Sequence, residues 1–226
     1  MKKMIHLLAV LIAFVMACGA CVYAEEQADS ADQTETTGIN YLILVSQQAD
    51  IQIPKDWEET INLVSVTDFS GGEQHLEEKT AEKFLELKDA LAEEGIDIEI
   101  TKAYVSVDDQ VLYRDFMAEQ FGRDYVEKFV IEPGFLDHHT GMGFEICLII
   151  DGEPMWNYDS LSKETEIFAK IHAKLPDYGF IVRYPEGKED ITGQKYQPWY
   201  IRYVGSVDIA KEIAEKGITL EEYLGG

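Results

Sequence analysis

The sequence predicts one α+β domain, a small antiparallel sheet flanked by helices. Three observations carry this reading. Short apolar runs with a two-residue period are interspersed with stretches of helical spacing, so strands and helices are mixed along the chain. The last strands arrive close together, which favours α+β over a regular strand-helix alternation. No repeat or low-complexity segment interrupts residues 39–226. Hydrophobic residues at 46% and charged residues at 27% are ordinary for a packed protein, which excludes global disorder.

The chain opens on Met1-Lys2-Lys3, an apolar stretch from Leu7 to Ala17 and small residues ending at Val22-Tyr23-Ala24. A basic start, a short apolar core and a small-x-small site read as a secretory signal peptide over residues 1–24. The apolar run is short for a membrane span of roughly 20 residues, so an uncleaved anchor is the lesser alternative. A lipid-attachment reading at Cys18 or Cys21 is weaker still, because Met16 fits it poorly. Residues 25–38 carry five acids and no base among Thr, Ser, Ala and Gln, the composition of an acidic flexible linker. The folded domain is then residues 39–226.

Within it, Tyr41-Leu42-Ile43-Leu44-Val45 is a short β-prone run and is expected as a strand. Leu76, Phe84, Leu87 and Leu91 follow Ser70-Gly71-Gly72 at helical spacing and stop at Gly95. His75 is expected on that helical stretch. Ile96, Ile98 and Ile100 alternate with polar residues, a strand pattern. Ser106-Val107-Asp108-Asp109 has the form of a capping box opening a helix to about Phe121, and a second helical stretch follows from Arg123 to Val130. Phe144 to Ile150 reads as a buried strand closed by Asp151-Gly152-Glu153-Pro154. Ile167, Phe168, Ile171 and Leu175 mark a helix, Gly179–Tyr184 and Trp199–Val204 two strands, and Ile209 with Ile213 a last helix before the cap at Thr219.

The formal net charge is −24, from 19 basic and 43 acidic residues. Such a chain repels phosphate backbones, which excludes nucleic-acid binding through a basic patch. Removal of residues 1–24 would take Cys18 and Cys21 with it. A lone Cys147 forms no internal disulfide, and its setting in Ile146-Cys147-Leu148-Ile149-Ile150 reads as buried and inert.

Three segments carry the chemistry: Tyr104-Val105-Ser106 with Gln110; Pro133-Gly134-Phe135-Leu136-Asp137-His138-His139-Thr140-Gly141-Met142-Gly143-Phe144-Glu145; and Tyr178-Gly179-Phe180-Ile181-Val182-Arg183-Tyr184-Pro185 running on to Gln197-Pro198-Trp199-Tyr200-Ile201-Arg202-Tyr203. Their order and spacing resemble the VanY-type D-alanyl-D-alanine carboxypeptidases, zinc peptidases of the bacterial cell wall with the VanY/lysostaphin-like metallopeptidase fold. The resemblance runs over nearly the whole of residues 39–226.

It implies zinc held by a His, an Asp seven residues later and a second His in a Glu-Pro-Trp-His segment whose Glu is the general base. It also implies an Arg, after the Tyr of the first segment, for the substrate's terminal carboxylate. In this sequence the first ligand position is His138. The Asp position is Glu145, the second His position is Tyr200, the base is Gln197 and the Arg is Val105. Leu136-Asp137 stands where a Ser-Glu pair is usual, whereas Ser106 and Gln110 match the substrate-side residues.

These changes bear directly on reactivity. Catalytic zinc takes three strong protein ligands and an open position for water. A neutral phenol is a poor donor, with a reference pKa of about 10. Gln197 accepts no proton from bound water, and losing a general base alone costs ~10²–10⁴-fold in rate. Val105 offers no bidentate, charge-assisted contact to a carboxylate. The resemblance and these substitutions together give the expectation of an exported, cell-envelope-associated bacterial protein without peptidase activity. It would bind peptidoglycan stem peptide or a cell-wall protein, with no cofactor expected, no nucleic acid and no membrane insertion of the mature domain. Two alternatives stand beside it: an active metal-dependent carboxypeptidase with an altered site that still binds zinc, and a surface interaction scaffold that uses the fold alone. Of the other histidines, His139 neighbours His138 on an extended segment and is expected to point away from it. Arg183 and Arg202 read as structural pairing groups.

Overall fold

The computed structural model describes residues 38–225, so residues 1–24, expected as a signal peptide, and all but the last residue of the linker expected at 25–38 lie outside the described residues. Two antiparallel sheets and eight α-helices follow in chain order. The first sheet is a hairpin of β1 (Leu63–Thr67) and β2 (Glu73–Glu77), which leads directly into α1 (Glu78–Glu93). The junction is fixed by Glu77, whose carboxylate accepts from the backbone N–H groups of Lys79 and Thr80. The helix therefore starts later than the apolar spacing suggests: Leu76 and exposed His75 are strand residues.

The second sheet has the order β3-β4-β7-β6, with β5 also paired to β4, and every pairing is antiparallel. Its strands are β3 (Asp97–Lys102), β4 (Gly143–Ile150), β5 (Glu153–Met155), β6 (Phe180–Val182) and β7 (Tyr200–Tyr203). Between β3 and β4 lie α2 (Val107–Phe121) and α3 (Arg123–Phe129), then a 3-10 turn at Asp137–Thr140. The later helices are α4 (Tyr158–Leu161), α5 (Thr165–Lys174), α6 (Glu189–Thr192), α7 (Val207–Lys216) and α8 (Leu220–Tyr223). The Asp-Gly turn expected after Ile150 closes the β4–β5 hairpin with both central residues at positive φ, 53° at Asp151 and 83° at Gly152.

Alternation along β4 and β7 sorts the side chains. Phe144, Ile146, Leu148, Ile201 and Tyr203 join the main core with Phe84, Leu87 and Leu91 of α1 and Phe168 and Ile171 of α5. Phe144 meets Phe84 and Phe180 edge-to-face, with ring centroids 5.1 and 5.8 Å apart. Each such large side chain contributes roughly 1.5–3 kcal/mol by leaving water. Glu145, Tyr200 and Arg202 alternate to the other face, which carries the site.

The run Tyr41 to Val45 is irregular backbone instead of the expected strand. Its carbonyls do not need a neighbouring strand, because buried guanidinium groups occupy them. Arg202 donates to the carbonyls of Tyr41 (3.2 Å) and Ile43 (2.9 Å), and Arg183 to that of Val45 (3.3 Å). Both arginines are almost wholly buried and also pair with carboxylates: Arg183 with Glu221 and Asp137, Arg202 with Asp137 at 2.6 Å. Two cations and two anions form a charge-balanced cluster that pins the first loop, β6, β7 and α8 to the 3-10 turn. Among the described residues no helix is long and apolar enough to cross a membrane.

Candidate functional site

The site is built where the 3-10 turn enters β4. Thr140 ties that turn by donating to the Asp137 carbonyl at 2.8 Å, and the Trp57 indole donates to the Thr140 carbonyl at 3.1 Å. Asp137 points back into the buried cluster, where it also accepts from the Tyr200 hydroxyl at 3.4 Å. Gly143 lets these groups pass: an added Cβ there would lie 2.0 Å from the Asp137 carboxylate and 2.9 Å from the Tyr200 hydroxyl.

His138 emerges on the opposite side. Its Nδ1 lies 3.1 Å from the Gly143 carbonyl and its Nε2 lies 3.2 Å from Glu145 Oε1, with the ring against Tyr200 at 4.8 Å between centroids. The second oxygen of Glu145 accepts from the Tyr158 hydroxyl at 2.5 Å. Burial pushes His138 below the ordinary histidine value, against the pull of Glu145. Burial alone would raise Glu145, but the bonds from His138 and Tyr158 and the nearby charge of Lys102 hold it below the usual carboxylate range. Burial, reinforced by the Asp137 charge, pushes the Tyr200 phenol well above its usual value.

Sheet register aligns three side chains across adjacent strands. Lys102 on β3 pairs with Glu145 on β4, and Glu145 pairs with Tyr200 on β7. They open into a cleft of about 400 Å³ that is also lined by His138, Gln110, Gln197, Trp199 and the rings of Tyr113, Phe129, Tyr158 and Tyr184. Gln197 is held by its backbone, its N–H donating to the Tyr184 carbonyl and its carbonyl accepting from Tyr200 N–H. The Gln110 side chain donates to the Ile131 carbonyl at 2.7 Å. A larger concavity, about 850 Å³, lies among α5, β6 and α7, but it contains none of these groups, so the smaller cleft is the chemical site.

The structure thus brings His138, Glu145, Tyr200, Gln197 and Gln110 into one cleft. Val105 and Ser106 are not among the residues lining it. Ser106 caps α2, accepting from Asp109 N–H at 3.0 Å, and faces a neighbouring concavity with His139 and Trp57. His139 accepts from Gly134 N–H through Nε2 at 3.1 Å, so its Nδ1–H donates to the Val105 carbonyl at 2.6 Å, and neither nitrogen is offered to His138's partners.

Lys102, Tyr158 and Trp199 have no candidate role in the sequence reading. Strict alternation from Ile98 and Ile100 assigns Lys102 to the core face. A bulge between Ile100 and Lys102 slips the register by one residue and turns it to the cleft. Tyr158 comes from α4, beyond the β4–β5 hairpin, and nothing in the spacing signals its contact with Glu145.

For a metal, the donor set is one ligand short. His138 and Glu145 offer two donors side by side, but the Tyr200 hydroxyl is engaged by Asp137 and ionises only well above neutral pH. Among the described residues no group of three or more His, Cys, Asp or Glu side chains is placed to hold a metal ion. The residues present do not fit a three-ligand catalytic zinc.

An α+β sheet here sets a His–carboxylate pair in a cleft beside a Pro-Trp turn, the arrangement expected from the resemblance to the VanY-type fold. Residues 73–206 match the family model described as VanY, D-alanyl-D-alanine carboxypeptidase. The chain is 31% identical, over 69% of its own length and 80% of the relative's, to the bifunctional D-Ala-D-Ala dipeptidase and carboxypeptidase VanXYC of Enterococcus gallinarum. Solved structures agree. The LdcB LD-carboxypeptidase, described for its peptidoglycan recognition, superposes with a TM-score of 0.67 at 30% identity, covering 82% of this chain and 86% of that one. A VanY D,D-pentapeptidase variant solved with Zn(II) gives 0.64 at 25%, covering 82% and 99%. This chain belongs to the VanY carboxypeptidase family.

Proposed function

We propose that this protein is an exported, cell-envelope member of the family that keeps the cleft as a site for peptidoglycan stem peptide and has lost hydrolysis. One observation carries the reading: the chemical positions are closed on one another. One oxygen of Glu145 accepts from Tyr158, the other lies 3.2 Å from His138 Nε2, and the Tyr200 hydroxyl is engaged by Asp137. An amide, Gln197, stands at the position of the base. A water in this cleft therefore meets no free carboxylate to take its proton. The cleft is instead lined by aromatic rings and amides, groups suited to holding a peptide. Residues 1–24 as a signal peptide and residues 25–38 as a linker complete the reading.

Incubation with a muramyl pentapeptide, with and without added zinc, is expected to release no D-Ala. Zinc-dependent release at an enzyme-like rate overturns the reading.

A second reading, a working but altered metal site, is favoured by the His138–Glu145 contact. Both neighbours of the imidazole, the Gly143 carbonyl and the Glu145 carboxylate, are acceptors, and a neutral ring donates to only one. The 3.2 Å between Nε2 and Oε1 matches the about 3.3 Å separating two ligands of one tetrahedral zinc with bonds near 2.0 Å. That reading requires stoichiometric metal after dialysis, abolished in His138→Ala. Protein that stays metal-free in micromolar zinc rejects it.

A further inference from the structure

The cleft has a polarity unlike the rest of the chain. On a protein of formal net charge −24, its lining carries two lysines, Lys102 and Lys195, against one carboxylate, Glu145. Lys195 is exposed, whereas Lys102 is half-buried on the sheet. Its register partner Glu145 accepts from Tyr158 and lies against His138, and among the described residues no carboxylate lies within ion-pair distance of Lys102. Lys102 feels the charge of Glu145 but makes no direct ion pair with it, so its ammonium hydrogens are left to meet an anion that enters the cleft. A second observation points the same way. Trp199, also lining the cleft and 7% exposed, has a buried indole N–H with no acceptor, the one buried side-chain N or O atom without a partner among the described residues. Buried donors are paired in nearly all folded proteins, so this orphan calls for an acceptor, a water or a ligand atom, that the described residues do not supply.

We propose that Lys102 is the carboxylate anchor of this cleft, holding the free C-terminus of a short peptide whose oxygens also take the Trp199 indole N–H. This rests on reading the cleft as a peptide site, and it assigns the anion contact to β3 instead of the helix-entry loop where Val105 stands. The bulge before Lys102 is the device that turns the ammonium out of the core and into the cleft.

The test compares a muramyl pentapeptide with its C-terminal carboxamide, and N-acetyl-dialanine of D,D and L,L configuration with theirs. Chelator is present throughout, so that no metal serves as the anion's partner. Affinity is read by calorimetry and contact by the NMR resonance of the Trp199 indole N–H, assigned through Trp199→Phe. A charge-assisted bond of the usual strength makes the free acids bind about 10-fold or more tighter than the amides. Lys102→Met should erase that preference, Lys102→Arg should retain it, and the acid should shift the indole resonance. An acid preference that survives in Lys102→Met overturns the proposal while leaving the peptide-site reading intact. Acetylated dipeptides that bind through Lys102 while the muramyl peptide does not support the anchor and overturn the stem-peptide reading. If no carboxylate peptide binds or moves the indole resonance, the anchor is overturned.

Discussion

Asp137→Asn is the most demanding test of what holds the site in place. Asp137 is completely buried and accepts from Arg183 at 3.1 Å, Arg202 at 2.6 Å and Tyr200 at 3.4 Å. With Glu221 it balances the two guanidinium charges. Asparagine preserves shape and one acceptor oxygen but leaves the buried cluster with one uncompensated positive charge. Removing one partner of a buried pair costs about 3–5 kcal/mol, a large share of a typical 5–15 kcal/mol stability. For a domain of this size each kcal/mol moves the unfolding midpoint by roughly 2–4 °C, so the midpoint should fall by about 6–20 °C. The pH dependence follows. Burial would raise the Asp137 carboxyl, but Arg202 and Arg183 hold it below the usual carboxylate range. Its folded value lies below its unfolded one, so its contribution is present above about pH 4 and lost as pH falls through the folded value. Thermal and urea unfolding followed by circular dichroism, from pH 7 down to pH 3, measure both effects. A loss smaller than about 1 kcal/mol at pH 7, or an unchanged acid limb, would refute the argument that the cluster is held by charge balance.

Gly143→Ala should also destabilise strongly, by about 1–3 kcal/mol or more, because its methyl group would meet an Asp137 carboxylate that two arginines pin; a midpoint unchanged by urea titration counts against the geometry. His138, His139 and His172 are all pushed below the ordinary histidine value, chiefly by burial. The unfolded chain then binds protons first, so stability is present above about pH 6.5 and lost below it, by up to about 1.4 kcal/mol per histidine at one unit lower. His172→Gln should blunt that loss, and an equally steep acid limb in the variant would show that His172 takes no part. The double variant Tyr200→His, Gln197→Glu supplies a third ligand, a second imidazole, and a carboxylate at the base position; dialysed protein should retain zinc by elemental analysis, and a variant as metal-poor as the parent excludes the three-ligand geometry.

How much of this was legible in the sequence follows from how local each signal is. The core strands β3, β4 and β7 and helix α1 show in spacing because their apolar residues pack into the main core. Helix α7 shows likewise through Ala210 and Ile213 of a second, smaller cluster, whereas α2 shows only through its cap at Ser106, Gln110 being its one buried residue. The hairpin of β1 and β2 did not, since only three of its ten strand residues are buried and its alternation is weak. The first loop, with its run from Tyr41 to Val45, looked like a strand because it is apolar, yet its carbonyls are satisfied by arginines more than 130 residues away. The ligand and base positions were legible through the motif they interrupt. Their partners were not: Tyr158 reaches Glu145 from beyond a hairpin, and Lys102 reaches the cleft only through a bulge.

The same geometry explains how the frame persists when its chemical positions change. In a metal site the ion itself can organise the ligand-bearing segments, so that loss of a ligand loosens the loop. Here Asp137, next to His138, anchors the turn to Arg183 and Arg202 by groups that take no part in the cleft. His138 and Glu145 are held by the backbone of Gly143 and by Tyr158 in the same way. Substitution at Tyr200 or Gln197 then alters reactivity without removing the support of the cleft walls. A fold whose site is braced from behind by a buried ion cluster can change the residues at its chemical positions and retain a shaped, lysine-bearing cleft, which is what the proposed binding role requires.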